Sequence, residues 1–148
     1  MRKVDIYTDG ACDAKGQGGW GFVLRYESIA LYRSFGWANK TTNNRMELTA
    51  VIKGLDTLKE PCEVNVYTDS QYISSAFNDG FIYKWHNDLF VHTSNADLWK
   101  HLLKAMENHN VTFTKIPAHT GDRYNEMADT LAKQGLEQAY NARNISSR

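Results

Sequence analysis

The sequence predicts one α/β domain, and three observations carry that expectation. Five short apolar, β-prone runs alternate with segments of helical period over 148 residues. The first three runs follow one another through turn residues, as an antiparallel meander does. A helix then leads to a run, Val66-Tyr67-Thr68-Asp69-Ser70, that nearly repeats Ile6-Tyr7-Thr8-Asp9-Gly10. A strand, a crossover helix and a strand usually form a parallel right-handed unit, so the fourth strand is expected beside the first.

Taken in order, Val4 to Ala11 reads as the first strand. Gly16, Gly18, Gly19 and Gly21 read as a turn cluster that opens a second strand, Trp20 to Tyr26, and Leu31 to Ala38 alternates apolar with polar as a third. The period then lengthens. Met46, Ala50, Val51, Leu55 and Leu58 share one helical face, with Thr42 or Asn43 as the cap and Pro61 as the stop. Val64 to Thr68 is the fourth strand, and Ser70 to Phe77 a short helix ended near Gly80. Phe81 to His92 is expected to be partly helical, Asp97 to Asn108 a helix, and Val111 to Ile116 the fifth strand, stopped by Pro117. The last helix is expected over Asn125 to Tyr140, with residues 141–148 as a frayed tail of the single domain 1–148.

Composition narrows the function classes. With 42% apolar residues and two prolines, disorder is excluded. The first twenty residues carry Asp5, Asp9 and Asp13 and have no apolar run long enough for a signal peptide or a membrane span. Cys12 and Cys62 lack CxxC spacing, which suits reduced thiols in a cytoplasm. Seventeen basic and seventeen acidic residues balance to zero, a count that weighs mildly against tight non-specific binding of a polyanion.

The paired strands would set Asp9 and Asp69 side by side at one sheet edge. Two carboxylates that close oppose each other's ionisation, and a divalent cation relieves the repulsion. Hard oxygen ligands suit magnesium or manganese. Two further acids, Glu47 and Asp129, read by themselves as a helix-dipole glutamate and a surface charge. His119, in a loop before the last helix, reads by itself as a solvated residue.

The ordered set Tyr-Thr-Asp-Gly, Thr-Thr-Asn-Asn-Arg-Met-Glu-Leu, Tyr-Thr-Asp-Ser-Gln-Tyr, Ala-His-Thr-Gly and Asn-Glu-Met-Ala-Asp resembles the type 1 ribonuclease H family, from Lys3 to Lys133. The resemblance implies a five-stranded mixed sheet with helices on both faces. It also implies an endoribonuclease that hydrolyses the RNA strand of RNA–DNA hybrids, leaving 5′-phosphate and 3′-hydroxyl ends. The four catalytic carboxylates of the family fall on Asp9, Glu47, Asp69 and Asp129, around two magnesium ions for which manganese can substitute. By the same resemblance Asp9 bridges the two ions. Glu47 and Asp69 complete the one near the leaving group, and Asp129 the one that holds the attacking water. Two cations roughly 3.5–4 Å apart suit an anionic phosphodiester, whose attacking and leaving oxygens both need stabilisation. His119 would relay a proton or help the product leave.

Substrate contacts follow in the same way. Asn43, Asn44 and Gln71 match residues that lie in the minor groove, where an amide's donor and acceptor can read a 2′-hydroxyl. Without the motif, the two asparagines would read as helix caps. Thr42 matches a DNA-phosphate contact, and Arg45 either helps hold this edge of the substrate or pairs with a neighbouring acid. Trp85 matches an aromatic wall for a deoxyribose, although it and Trp99 also suit a core. A monomer bound to a hybrid is expected.

Three departures from the family pattern stand out. The stretch from His86 to Asp97 has no lysine or arginine where a basic protrusion is common. The loop from Asp13 to Gln17 is short, which weakens the case for a phosphate contact there. Ala118 precedes His119 where glycine is frequent. A related polynucleotide hydrolase and a non-catalytic binding module of the same architecture remain as alternatives. The amide set favours hybrids over the first, and the complete acid set argues against the second.

Overall fold

The computed structural model describes residues 1–27, 29–117 and 121–146. Five strands, β1 (Arg2–Cys12), β2 (Gly18–Tyr26), β3 (Ala30–Ala38), β4 (Cys62–Thr68) and β5 (Asn110–Lys115), form one sheet in the order β3-β2-β1-β4-β5. The meander β1-β2-β3 is antiparallel, whereas β4 pairs parallel with both β1 and β5. The expected mixed five-stranded sheet is therefore present. The helices are α1 (Asn43–Asp56), α2 (Gln71–Asn78), α3 (Phe81–Asn87), α4 (Ala96–Met106) and α5 (Arg123–Ser146).

Alternation along the strands divides the core in two, because successive side chains point to opposite faces. Val4, Ile6, Phe22, Leu24, Val64 and Val66 pack with Leu48, Val51 and Leu55 of α1 and with Trp99 of α4. Tyr7 and Val23 point the other way and meet Ala128 and Leu131 of α5. Helices thus cover both faces, and the sheet end carrying Asp9 and Asp69 lies between them.

Two expectations change. Gly18 and Gly19 belong to β2, and of the glycines read as a turn cluster Gly16 is the one in the left-handed region, at φ 81°. A methyl group on Gly19 would overlap the backbone of Ala132 and Leu136, so that glycine permits close packing of α5 on the sheet. The last helix also continues to Ser146, so residues 141–146 are helical and not a frayed tail. No glycine or proline interrupts Asn141-Ala142-Arg143-Asn144, and α5 runs on past Tyr140. Among the described residues no helix is long and apolar enough to cross a membrane.

Candidate active site

Register explains how two acids sixty positions apart meet. β1 and β4 pair in parallel with Ile6 opposite Val66 and Tyr7 opposite Tyr67. Two residues further along, Asp9, still within β1, and Asp69, just past the end of β4, come side by side. Glu47 arrives from the first turns of α1, whose N-cap Thr42 accepts a hydrogen bond from the Arg45 N–H at 3.2 Å. Asp9, Glu47 and Asp69 have carboxylate oxygens within 4.8 Å of one another.

Gly10 makes this approach possible. A Cβ there would lie 2.5 Å from the Glu47 nitrogen and 2.6 Å from the Met46 carbonyl carbon, so any side chain would push α1 away from β1. Its N–H donates to Asp9 Oδ1 at 2.9 Å and to Glu47 Oε1 at 3.2 Å. One backbone donor thus serves two carboxylates. In the sequence Gly10 is only the end of the repeated run, and nothing local marks this positioning role.

Burial sets the electrostatics. Asp9 is 7% exposed and Glu47 4%. Burial pushes the Asp9 carboxyl up to about 7; contact with Glu47 pulls it down, and the charge of Asp69 raises it again. Glu47 is raised well above the ordinary carboxylate range, first by burial and then by the charge of Asp9. Its Oε2 is buried without a hydrogen-bond partner. An orphaned carboxylate oxygen beside two more hard oxygen donors fits a magnesium- or manganese-type cation.

The same cleft, of about 490 Å³, is also lined by Asp129, Asn43, Asn44, Gln71 and Tyr72. Asp129 comes from α5, stands outside the tight group of three and pairs with Lys133 at 3.0 Å. Asn43 and Asn44 are exposed and follow the cap, so Thr42, not either asparagine, caps the helix. Gln71 opens α2 behind its N-cap Ser70 and hydrogen-bonds the Ser75 hydroxyl. The structure therefore brings all four acids and all three amides to one cleft.

Other expected residues have partners of their own. Arg45 forks onto Asp97, with Nη1 to Oδ1 at 2.9 Å and Nη2 to Oδ2 at 2.8 Å, so its ion-pair reading is the one seen. The guanidinium holds the Asp97 carboxyl down to about 2. Trp85 is half-buried, tilted on Trp99 at 5.2 Å with Phe81 stacked outside it at 6.3 Å. Trp99 is fully buried, and its indole N–H donates to the Tyr72 hydroxyl at 3.0 Å. Tyr72 thereby ties the cleft to the core, a link that depends on a contact twenty-seven positions away and leaves no mark in the Ser-Gln-Tyr motif. His119 and Ala118 lie outside the described residues.

The raised acids predict how the metal-free protein responds to pH. An acid whose folded pKa exceeds its unfolded value of about 4 binds its proton more tightly when folded. Stability then falls as pH rises from about 4 through the folded value, which for Asp9 is about 7. A divalent cation held by these acids would compete with those protons, so added magnesium should stabilise more at pH 8 than at pH 5.5. At a hundredfold excess over Kd the gain is about 2.7 kcal/mol, or roughly 5–10 °C in Tm. Thermal melts with magnesium or chelator at both pH values measure this, and equal shifts would contradict a cation held by these acids.

Comparison with known proteins gives a consistent set of similarities. The RNase H family model matches residues 1–137. The chain is similar to a ribonuclease H of Chlorobium limicola, 44% identical over 142 residues that cover 92% of this chain and 97% of that protein. It is likewise 44% identical to a ribonuclease H of Caldanaerobacter subterraneus subsp. tengcongensis, over 90% of this chain and 91% of that protein. Among solved structures, LC9-RNase H1, a type 1 RNase H with the type 2 active-site motif, aligns with a TM-score of 0.83 at 25% identity. That alignment covers 94% of this chain and 74% of that one. RNase H1 of the halophilic archaeon Halobacterium salinarum shares the fold, with a TM-score of 0.68 at 23% identity over 92% of this chain and 98% of that one.

Proposed function

Because the chain belongs to the ribonuclease H family, we propose that it is an endonuclease that hydrolyses the RNA strand of RNA–DNA hybrids at Asp9, Glu47, Asp69 and Asp129. The observation that carries the proposal is the trio of buried Asp9 and Glu47 and half-buried Asp69, with its orphaned Glu47 Oε2, opening into a cleft rimmed by exposed amides. Asp9, Glu47 and Asp69 would hold divalent cations, with Asp129 completing the set from α5. Two bound cations would supply an activated water and neutralise charge on the scissile phosphate.

The chain's own residues do the rest. Burial of Asp9 and Glu47 keeps competing water away and sharpens their preference for a cation over solvent. The Lys133 ammonium holds the Asp129 carboxylate at the cleft rim. Asn43, Asn44 and Gln71 offer donors and acceptors to the minor groove, where the 2′-hydroxyl distinguishes the RNA strand. Thr42, its Oγ1 already capping α1, stands where a DNA phosphate would pass. Trp85 and the more exposed Phe81 would wall the deoxyribose side. His119 would carry a proton at a ring nitrogen, either for the leaving oxygen or during product release. The working unit is one domain and one copy of the chain on one hybrid.

Hydrolysis means that a water oxygen bonds to phosphorus, the bond to the 3′-oxygen breaks, and that oxygen takes a proton. Internal cleavage therefore leaves a 5′-phosphate and a 3′-hydroxyl. End analysis of RNA fragments from a cleaved hybrid checks this. Cyclic 2′,3′-phosphate ends would mean that the RNA's own 2′-hydroxyl attacks, and would contradict the mechanism.

A further inference from the structure

The net charge of zero conceals a segregated surface. Two grooves adjoin Trp37 on the edge strand β3, one of about 570 Å³ toward α1 and one of about 410 Å³ toward the end of α5. Lys40 and Asn39 line both, Lys53 lines the first, and Lys15 and Arg143 line the second. Among the described residues no aspartate or glutamate lines either groove, although the chain holds seventeen acids. Arg45 also reaches the first groove, but Asp97 neutralises it.

Between the cations lie groups that suit bases. The Trp37 side chain is exposed at 41% on the sheet edge, and Trp20 floors the first groove with the Lys53 ammonium 5.8 Å from its ring centre. Gln17 lines the second groove, is 3% exposed, and has neither end of its amide hydrogen-bonded. The short loop that carries it is folded by Asp13, whose Oδ1 accepts from the Lys15 and Gln17 N–H groups at 2.9 Å each. That folding leaves the Lys15 side chain outward, beside the groove. Lys40 stands three residues before Asn43, which lines the catalytic cleft, so the two surfaces are at most about 10 Å apart along the chain.

We propose that this face binds an unpaired nucleic-acid strand continuing past the catalytic cleft. Its phosphates would lie on Lys15, Lys40, Lys53 and Arg143 and a base would stack on Trp37. The proposal rests on the function inferred above. A duplex could offer the cations its phosphates, but a base can cover the indole face only after leaving its pair. An acidic peptide would match the charge and leave the exposed indole unexplained.

The test compares, in chelator so that nothing is cut, a blunt RNA–DNA hybrid of about twelve base pairs with the same duplex carrying about six unpaired nucleotides. Each of the four strand ends is extended in turn, and affinity is read by fluorescence anisotropy. One extension should raise affinity about tenfold, the equivalent of one stacked base. Trp37→Ala should bring the ratio of tailed to blunt affinity close to one. The double variant Lys15→Gln, Arg143→Gln should lower that ratio as well, and it should lower the salt slope of tailed binding by about 1.4. Equal affinity for blunt and tailed hybrids would overturn the proposal, as would a gain that survives both variants. So would a glutamate-rich peptide that binds in a Trp37-dependent way while no tail does. Cleavage of the blunt hybrid by the unaltered protein in magnesium keeps the two claims apart. If it persists while tails add nothing, this proposal alone falls; if it is absent, the nuclease reading falls.

Discussion

Asp9→Asn and Asp69→Asn are each expected to lower hybrid cleavage in magnesium roughly a thousandfold or more. Asp9, Glu47 and Asp69 hold carboxylate oxygens within 4.8 Å of one another. An amide keeps the shape of either side chain but removes the charge that draws a cation into a buried site. For Asp9 it also puts N–H donors or a neutral oxygen next to the orphaned Glu47 Oε2. The same change relieves a cost in the metal-free protein, where burial and neighbouring charge raise Asp9 to about 7. Asp9→Asn should therefore melt no lower than the unaltered chain at pH 8 in chelator, while losing the magnesium shift. Full activity in either variant would remove that residue from the mechanism. Loss of activity with a collapsed Tm would show instead that the substitution had unfolded the protein.

Gly135→Ala carries the largest expected effect on stability, and its sign is diagnostic. In an exposed helix, replacing glycine by alanine stabilises by about 1 kcal/mol. Gly135 is in α5 where the helix crosses β2 and β3, and an added methyl would overlap the Gly36 carbonyl and lie 3.0 Å from the Gly19 Cα. Neither is the flexible end of a side chain, so relief requires α5 to lift from the sheet. The expected cost is about 3 kcal/mol, at the upper end of overpacking effects, or roughly 6–12 °C in Tm. Lifting α5 would also move Asp129, six residues earlier on the same helix. Chemical denaturation of the variant measures the change, and a stabilised protein would mean that α5 packs less closely than described.

Some of this was legible in the sequence for physical reasons. Two nearly identical strand ends gave the β1–β4 pairing, because hydrophobic pattern and crossover handedness leave few registers open. Thr42 was readable as a cap because capping depends on neighbours three residues away. Other features depend on contacts between distant segments and left no local mark. Arg45 finds Asp97 fifty-two positions on. Gly18 and Gly19 looked like turn residues, yet they sit in a strand because α1 and α5 come too close for side chains. Gly10 closes the repeated run without any local sign that it contributes a shared N–H and the room that lets Glu47 reach Asp9. Strand pairing alone brought Asp9 to Asp69, but Glu47, Asp129 and the three amides were found through a family resemblance; by themselves Glu47 read as a helix-dipole glutamate and Asp129 as a surface charge. A balanced charge count could not reveal the acid-free grooves around Trp37, because segregation is a property of the surface.

The most direct test of the central claim uses an RNA–DNA hybrid labelled on its RNA strand beside single-stranded RNA, duplex RNA and duplex DNA. Each is incubated with the protein in magnesium and again with chelator. Internal cleavage of the hybrid's RNA alone, lost with chelator, is the expected result. Cleavage of duplex DNA in preference to the hybrid, or cleavage of hybrid RNA that persists in chelator, would contradict it.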